Sequence, residues 1–213
     1  MPTFGLAPES HEEKERLNEE IRAILRHIGA VAPDNFWSSG RPQIHLHGHK
    51  PDGSDWPIES YRGRLVLDMP GFLSSAVSPF PHEPVRLTLF RWGAELDQCG
   101  FIETHSILNG TAIVSYQRVY IGRNVLFGPN VLIMDSDGHP ADRTLSDTAE
   151  HKKMAPVTIE DNAWVGFGAM IMKGVTVGHH AVVAAHAVVT KSVPPHCVAA
   201  GNPARIVKDF TPR

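Results

Sequence analysis

The sequence predicts an all-β solenoid in which short strands wind around a triangular prism. Two runs of residues predict it, because apolar positions recur every six residues from Phe101 to Val131 and again from Ala163 to Val193. A period of six fits neither the α-helix, which repeats about every 3.6 residues, nor a free strand, which alternates about every two. It fits a chain that turns a corner after each short strand, so that three sides of six residues make a coil of 18.

Each run supplies apolar columns that can stack from one coil to the next. In the first run, each spaced position is followed by a second apolar or aromatic residue; the spaced positions are Phe101, Ile107, Ile113, Val119, Val125 and Val131. The second run has two columns, which are Ala163, Ala169, Val175, Ala181, Ala187 and Val193, and Ile159, Val165, Ile171, Val177, Val183 and Val189. Coils of this length place Val165 beneath Val183 and Ile171 beneath Val189, so each coil should bury its apolar residues against the next.

The first predicted element is an amphipathic helix over residues 9 to 29. Ser10 and Glu13 have the spacing of an N-terminal capping box, and Gly29 is suited to end the helix. The apolar stripe consists of Leu17, Ile21, Ile24, Leu25 and Ile28. We expect this stripe to pack against the body of the protein or against a second subunit.

An irregular connector is predicted for residues 30 to 84, because this segment is rich in proline and has no long periodic stretch. Short strands are expected near Arg64 to Leu67. Val85, Leu87 and Leu89 alternate with polar residues and predict a strand that leads into the first coil. The predicted division is therefore residues 1–95 as helix and connector, and residues 96–213 as the prism with a short C-terminal segment.

The six-residue spacing is lost between Val131 and Ala163. A protruding polar loop is predicted there at residues 134–156, and long irregular loops on a rigid scaffold often carry function.

Three alternating histidines, His45, His47 and His49, would share one side of a strand, as metal ligands can. The other interpretation is an exposed polar face beside the turn at residues 51–53, because no carboxylate or cysteine has a matching spacing. The sequence leaves both open.

Composition argues against several classes of function. The chain has 213 residues, 20% of them charged, with a formal net charge of −3 and no apolar run long enough to span a membrane. A net charge near zero without a basic cluster argues against nucleic acid or an anionic membrane as the main partner. Cys99 and Cys197 form no metal-ligand spacing and are predicted to be free thiols. Residues 1–10 lack a signal-peptide pattern, so the predicted location is cytoplasmic.

Several segments of the chain together resemble one family. The segments are IGRNVLFGPNV, the GHP of the loop, PVTIEDNAWVGFGAMIMKGVTVG, VVTKSVPP and AAGNPARIVK. In them the chain resembles the hexapeptide-repeat acyltransferases, in particular the branch with galactoside, maltose and nodulation-factor acetyltransferases and polysaccharide O-acetyltransferases. The resemblance implies a left-handed parallel β-helix, acetyl-coenzyme A as the donor, and a homotrimer with active sites between subunits.

The resemblance places the general base at His139, the histidine of the GHP loop. The chemistry agrees, because a sugar hydroxyl must lose its proton as it attacks a thioester, and imidazole accepts protons near neutral pH. Asp137 or Asp135 could orient the imidazole. Asn109 matches an acceptor-site asparagine of the family to within one residue, although Asn109-Gly110 could equally be a turn. No serine or cysteine stands beside His139 in a nucleophile motif, so direct transfer is expected.

The donor site is also inferred from the resemblance. The backbone N–H groups around Gly166, Phe167 and Gly168 are expected to stabilise the oxyanion. Phe167 stands where relatives often have a small polar residue, which removes a side-chain hydroxyl, and His186 projects one coil above Gly168. The expected cofactor-binding residues are Trp164, Phe167, Gly168, Ala185, Thr190, Lys191, Arg205 and Lys208, of which the last four would bind the end of the cofactor that carries the phosphates.

The sequence thus predicts an acetyl-CoA-dependent O-acetyltransferase that modifies a sugar or glycan such as a polysaccharide, without a metal. One alternative is a carbonic-anhydrase-like zinc prism with His105 and His139 as ligands, although Thr144 stands where a third histidine would be needed. The other is a non-catalytic structural prism, which would need no loop histidine.

Overall fold

Short strands wind into a prism with three faces in the computed structural model, which describes residues 10–68, 72–74, 83–210 and 212. Each face is a ladder of parallel strands that come from successive coils. The first face contains β3 (Leu65–Leu67), β6 (Ile102–His105), β9 (Val119–Arg123), β12 (Val157–Ile159) and β15 (Thr176–Val177). The third face contains β2 (Gln43–His47), β5 (Arg86–Phe90), β8 (Ala112–Ser115), β11 (Leu132–Met134), β14 (Met170–Ile171) and β17 (Val188–Val189).

The second face is made of two consecutive sheets. The lower sheet contains β1 (Trp37–Ser39), β4 (Phe72–Ser74) and β7 (Leu108–Asn109). The upper sheet contains β10 (Leu126–Phe127), β13 (Trp164–Val165), β16 (Val182–Val183), β18 (Cys197–Gly201) and β19 (Ala204–Asp209), and β19 returns antiparallel to β18.

The prism turns at corners where the backbone is left-handed. Asn124, Asn162, His180 and His196 occupy such corners with φ between 56° and 60°. Asparagine and histidine enter this region more readily than most residues with a Cβ atom, which explains why they stand at the corners.

The core of the upper coils is as the second run predicts. All twelve residues of its two columns are buried. Val165 pairs with Val183, and Ile171 pairs with Val189, in the predicted register.

The first run is wrong by one position at its start. Ile107 is exposed and Phe101 is only partly buried, whereas the residues that follow them, Ile102 and Leu108, are fully buried. From Ile113 onward the predicted positions do point inward. The corner between Leu108 and Ile113 is one residue shorter than the repeat, so the inward register shifts there.

Helix α1 (His11–His27) has the predicted capping box, with Glu13 N–H donating to Ser10 Oγ at 3.2 Å and Ser10 N–H donating to Glu13 Oε2 at 2.7 Å. Gly29 follows the last turn with φ of 66°. Ile21 and Leu25 of the predicted stripe are buried, but Ile24 is 44% exposed. The helix packs against the second face, where the Arg22 guanidinium donates to the Phe36 carbonyl at 2.9 Å.

The described parts of the predicted connector, residues 30–68, 72–74, 83 and 84, are more regular than the sequence predicts. Strand β3 confirms the expected strand near Arg64 to Leu67, but β1, β2 and β4 also lie here and pair with strands of the prism. The boundary predicted between residues 95 and 96 therefore falls inside continuous sheets. Turns such as the 3₁₀ helices Ile58–Tyr61 and Leu96–Gln98 interrupt the spacing of these coils.

The protruding loop leaves the prism after β11 and returns at β12, and it includes one 3₁₀ turn, Ala149–His151. It thus emerges at the corner between the third and first faces. No helix in the described ranges is long and apolar enough to cross a membrane.

Candidate active site

His139 lies on the protruding loop with its side chain 66% exposed. Its Nδ1 atom is 2.9 Å from Oδ2 of Asp147, eight residues further along the loop. Because an ionised carboxylate only accepts hydrogen bonds, Nδ1 carries the proton and donates it. Nε2 then has a lone pair directed away from Asp147 and is the nitrogen that can accept a proton.

Asp147 is held from its other side by Lys152. The ammonium Nζ lies 3.3 Å from Asp147 Oδ1, and the Lys152 side chain is only 11% exposed. Desolvation acts to raise the pKa of Asp147, but hydrogen bonds from Lys152 and His139 outweigh it and hold this pKa below its ordinary value. The carboxylate therefore stays ionised and keeps accepting from the imidazole at neutral pH.

The two aspartates proposed from the sequence have other partners. Asp137 forms an ion pair with Lys173, which follows β14. Asp135 is fully buried and accepts hydrogen bonds from Ser115 Oγ at 3.0 Å and from the backbone N–H groups of residues 116 and 117 at 2.7 and 2.8 Å. The carboxylate beside His139 Nδ1 is therefore that of Asp147, and it is not that of Asp135 or Asp137.

Burial raises the pKa of Asp135 above its ordinary value, and its hydrogen bonds oppose this rise only in part. Asp135 ties the start of the loop to the corner at residues 116–118 of the preceding coil.

A cleft of about 700 Å³ opens on the second face, on a side of the prism different from the loop. Trp164 stands on its wall with half its surface exposed, between Leu126 and Val182 in the ladder of outward-facing residues. The cleft is lined by Asn109, Leu126, Phe127, Gly128, Pro129, Trp164, Gly166, Phe167, Val182, Val183, Ala184 and Ala185. The sequence-predicted residues Asn109, Trp164, Phe167 and Ala185 are thus brought together here.

Backbone amides of this cleft differ in their availability. The N–H groups of Gly166 and Gly168 donate to Val183 O at 2.8 Å and Pro129 O at 2.9 Å, so the expectation that they stabilise an oxyanion is corrected. Those of Phe167 and Ala185, one coil apart, have no acceptor among the described residues. Both residues line the cleft, so both amides are candidate donors to a ligand carbonyl.

A residue with a Cβ atom would not fit at position 168. The φ of Gly168 is 63°, and a Cβ atom there would lie 2.8 Å from the ring of His186, which itself packs edge-on against Phe167 at 5.1 Å. His186 therefore stands beside Gly168 and against Phe167 of the cleft wall, at the point where the sequence indicated a change in the width of the donor site.

The four residues predicted to bind the phosphate end of the cofactor are exposed and do not line the cleft. Thr190 and Lys191 follow β17, while Arg205 and Lys208 lie on β19 at the edge of the second face. Arg205 donates to the carbonyl of Ala204 at 2.9 Å.

Side chains proposed for a metal site are engaged elsewhere. His105 contacts Asp68 Oδ2 at 2.9 Å and Glu103 Oε1 at 3.1 Å, while His47 stacks on Phe90 at 5.1 Å. In residues 10–68, 83–210 and 212, no group of three or more histidine, cysteine or acidic side chains is arranged to hold a metal ion.

Sequence reasoning missed Asp147 and Lys152, because the loop has no periodicity that could show which of its charged residues meet. The free amide of Ala185 was also missed as a donor. One feature of the sequence could have indicated a role for Lys152, which is its place after the acidic residues of the loop and shortly before the chain returns to the prism at β12.

Comparison with known proteins gives three findings. A family model described as bacterial transferase hexapeptide (six repeats) matches residues 156–191. Galactoside O-acetyltransferase of Escherichia coli is 41% identical over 101 residues, which are 47% of this chain and 49% of that protein. Galactoside O-acetyltransferase of Lactococcus lactis is 38% identical over 89 residues, covering 41% of this chain and 42% of that protein. The matches thus span about half the length of these relatives or less.

Among solved structures, a hexapeptide-repeat-containing acetyltransferase from Vibrio cholerae, in complex with acetyl-coenzyme A, aligns with 93% of this chain and 84% of its own. The TM-score is 0.52 and the identity 22%. This similarity concerns the fold, and it confirms the left-handed parallel β-helix.

Proposed function

We propose that the chain is a hexapeptide-repeat acetyltransferase that transfers the acetyl group of acetyl-coenzyme A to a hydroxyl of a sugar or glycan, as its similarity to the family model and to the galactoside O-acetyltransferases supports. The observation that carries the proposal is the His139–Asp147 pair, which leaves one imidazole nitrogen available as a base on an exposed loop. The names of the matched relatives supply the class of acceptor. A cytoplasmic location stays a prediction.

In the proposed reaction, His139 Nε2 accepts the proton of the acceptor hydroxyl while its oxygen attacks the thioester carbonyl. Asp147 keeps the imidazole in the tautomer that this requires and stabilises the imidazolium that forms. The tetrahedral intermediate then expels the thiolate of coenzyme A, which takes the proton back from the imidazolium. Both cysteines are buried, and no serine or cysteine side chain in the described residues forms a hydrogen bond with His139, which agrees with direct transfer.

The cleft on the second face suits the donor. Its apolar wall at Trp164 can cover the pantetheine arm, and the free N–H groups of Phe167 and Ala185 can donate to amide carbonyls of that arm or to the oxyanion. Thr190, Lys191, Arg205 and Lys208 stand beyond the cleft, where the phosphates would lie.

A homotrimer with shared active sites is part of the proposal. The loop of His139 leaves the corner between the third and first faces, whereas the cleft opens on the second face. One copy thus presents the base and the donor cleft on different sides, so a complete site would form where the loop of one copy meets the cleft of another.

His139→Ala tests the proposed chemistry. Turnover should fall by roughly 10²- to 10⁴-fold, or about 3 to 5 kcal/mol, which is what a positioned general base contributes. The measurement is release of coenzyme A from acetyl-coenzyme A with a panel of sugars, nucleotide sugars and oligosaccharides. His27→Ala, an exposed histidine at the end of α1, is the matched control and should keep full activity. A His139→Ala enzyme with more than half the wild-type rate would rule out this base.

A further inference from the structure

Lys152 is unusual among the loop residues because it lies against the prism. Its Nζ is 5.8 Å from the ring centre of Phe90 and 6.0 Å from that of Tyr116. The two rings stack at 4.3 Å and 11°, and His47 extends the stack below Phe90. His47 and Phe90 end β2 and β5, and Tyr116 directly follows β8 on the next coil, so the surface that receives Lys152 belongs to the rigid scaffold.

Two forces hold the lysine there. The electron-rich faces of stacked aromatic rings attract an ammonium. The carboxylate of Asp147 attracts it from the loop side, at 3.3 Å. In addition, the buried Asp135 fixes the backbone of Tyr116, so the aromatic surface and the root of the loop form one unit.

We propose that Lys152 is a positioning residue for the transfer reaction, which transmits the rigidity of the aromatic stack through Asp147 to His139. The inference rests on the proposed function of His139. It assigns Lys152 two effects on the base, one geometric and one electrostatic.

The geometric effect follows from the bridging carboxylate. Asp147 uses Oδ1 for Lys152 and Oδ2 for His139, so fixing the first oxygen fixes the direction in which the second accepts from Nδ1. His139 is mostly exposed and has no other hydrogen-bond partner in the described chain, so this bond sets the orientation of its ring. Small errors in the placement of a catalytic group lower the rate strongly.

The electrostatic effect follows from the positive charge. Desolvation acts to raise the pKa of Asp147, and Lys152 opposes it and helps to hold this pKa below its ordinary value. Asp147 therefore stays ionised and keeps accepting from His139 Nδ1. Methionine in place of Lys152 removes this support, whereas arginine keeps it.

The test compares Lys152→Met, Lys152→Arg and Lys153→Met. Methionine keeps an unbranched apolar chain on the rings but removes the charge, arginine restores the charge, and Lys153 is the exposed neighbour with no ion pair among the described residues. We expect Lys152→Met to lower kcat on the order of ten-fold with KM for acetyl-coenzyme A unchanged, as for removal of a group that supports a catalytic residue. Lys152→Arg should restore most of the lost kcat, because it restores the positive charge beside Asp147.

Two further measurements make the result decisive. The Lys152→Met and Asp147→Asn variants should not lower kcat additively, because both break the same chain of contacts. The NMR signals of the His139 ring should change in Lys152→Met without any substrate, because the ring loses its fixed orientation. If Lys152→Met matches Lys153→Met in kcat and in the His139 ring signals while His139→Ala is inactive, the inference fails and the proposed function stands. If His139→Ala is fully active, both fail.

Discussion

Two aspartates of the loop region have opposite properties because their surroundings differ. Asp135 is fully buried, so the cost of desolvating its charge dominates and its pKa is raised. Asp147 lies in reach of solvent and bridges two basic side chains, and its pKa is lowered. Asp147 can therefore serve the imidazole as a permanent anion, while Asp135 serves the fold.

The raised pKa of Asp135 predicts a pH dependence of stability. For a group whose folded-state pKa lies above its unfolded value, the stabilising contribution is complete below the unfolded value, about 4 for aspartate, and is lost as pH rises through the folded-state pKa. The difference in unfolding free energy between wild type and Asp135→Asn should therefore grow as pH falls from about 7 toward about 4. Chemical denaturation across this range measures it.

Asp34→Asn, at an exposed aspartate, is the control and should show no such trend. At neutral pH, Asp135→Asn should itself cost about 1 to 3 kcal/mol, since an amide cannot accept from all three donors. A difference that shrinks on acidification would contradict the role of burial at Asp135.

The candidate site was predictable from sequence only in part. His139 is predictable because the resemblance to the acyltransferase family places the general base in the GHP of the loop, and because acetyl transfer to a hydroxyl needs a base near neutral pH. Its orienting carboxylate is not, because Asp135, Asp137 and Asp147 are equivalent in a sequence without periodicity. Only the path of the loop decides that the first is buried, the second meets Lys173 and the third meets His139.

At the scale of elements, stability should depend on the stacked inner columns. Ile171 is fully buried and sits between Ile133 and Val189 in the third face, so Ile171→Ala should lower the unfolding free energy by about 2 to 5 kcal/mol. Met170 precedes it in β14 and points outward. Met170→Ala should cost less than about 1 kcal/mol, and equal losses in thermal or chemical denaturation would contradict the assignment of inside and outside.

The elements that sequence predicted best are those whose corners have constant length. From Ile159 to Val193 every side has six residues, and period, register and burial all follow. In the lower coils the corners vary, from the short one after Leu108 to the longer turns around Ile58–Tyr61. The period then vanishes from the sequence although the strands still stack, which is why β1, β2 and β4 were assigned to a connector.

At the scale of the whole molecule, the base and the cleft lie on different sides of one prism. A symmetric ring of three copies would bring each loop to the cleft of a neighbour, and every copy would then contribute to two sites. This arrangement predicts complementation between two inactive variants. A defect in the loop of one copy and a defect in the cleft of another copy could leave an intact site in a mixed oligomer, which is impossible if each site lies within one copy.

The prediction uses His139→Ala and Ala185→Trp, which fills the cleft from an exposed position without disturbing the core. Each variant should be nearly inactive alone. In mixed oligomers made from equal amounts, a shared site is intact when its loop comes from an Ala185→Trp copy and its cleft comes from a His139→Ala copy. Each of these choices is made in about half of the sites, so activity should return to about a quarter of the wild-type value. If each site lay within one copy, every site would keep one defect and mixing would restore nothing. Coenzyme A release after co-refolding, with the separately refolded variants as controls, distinguishes the two arrangements.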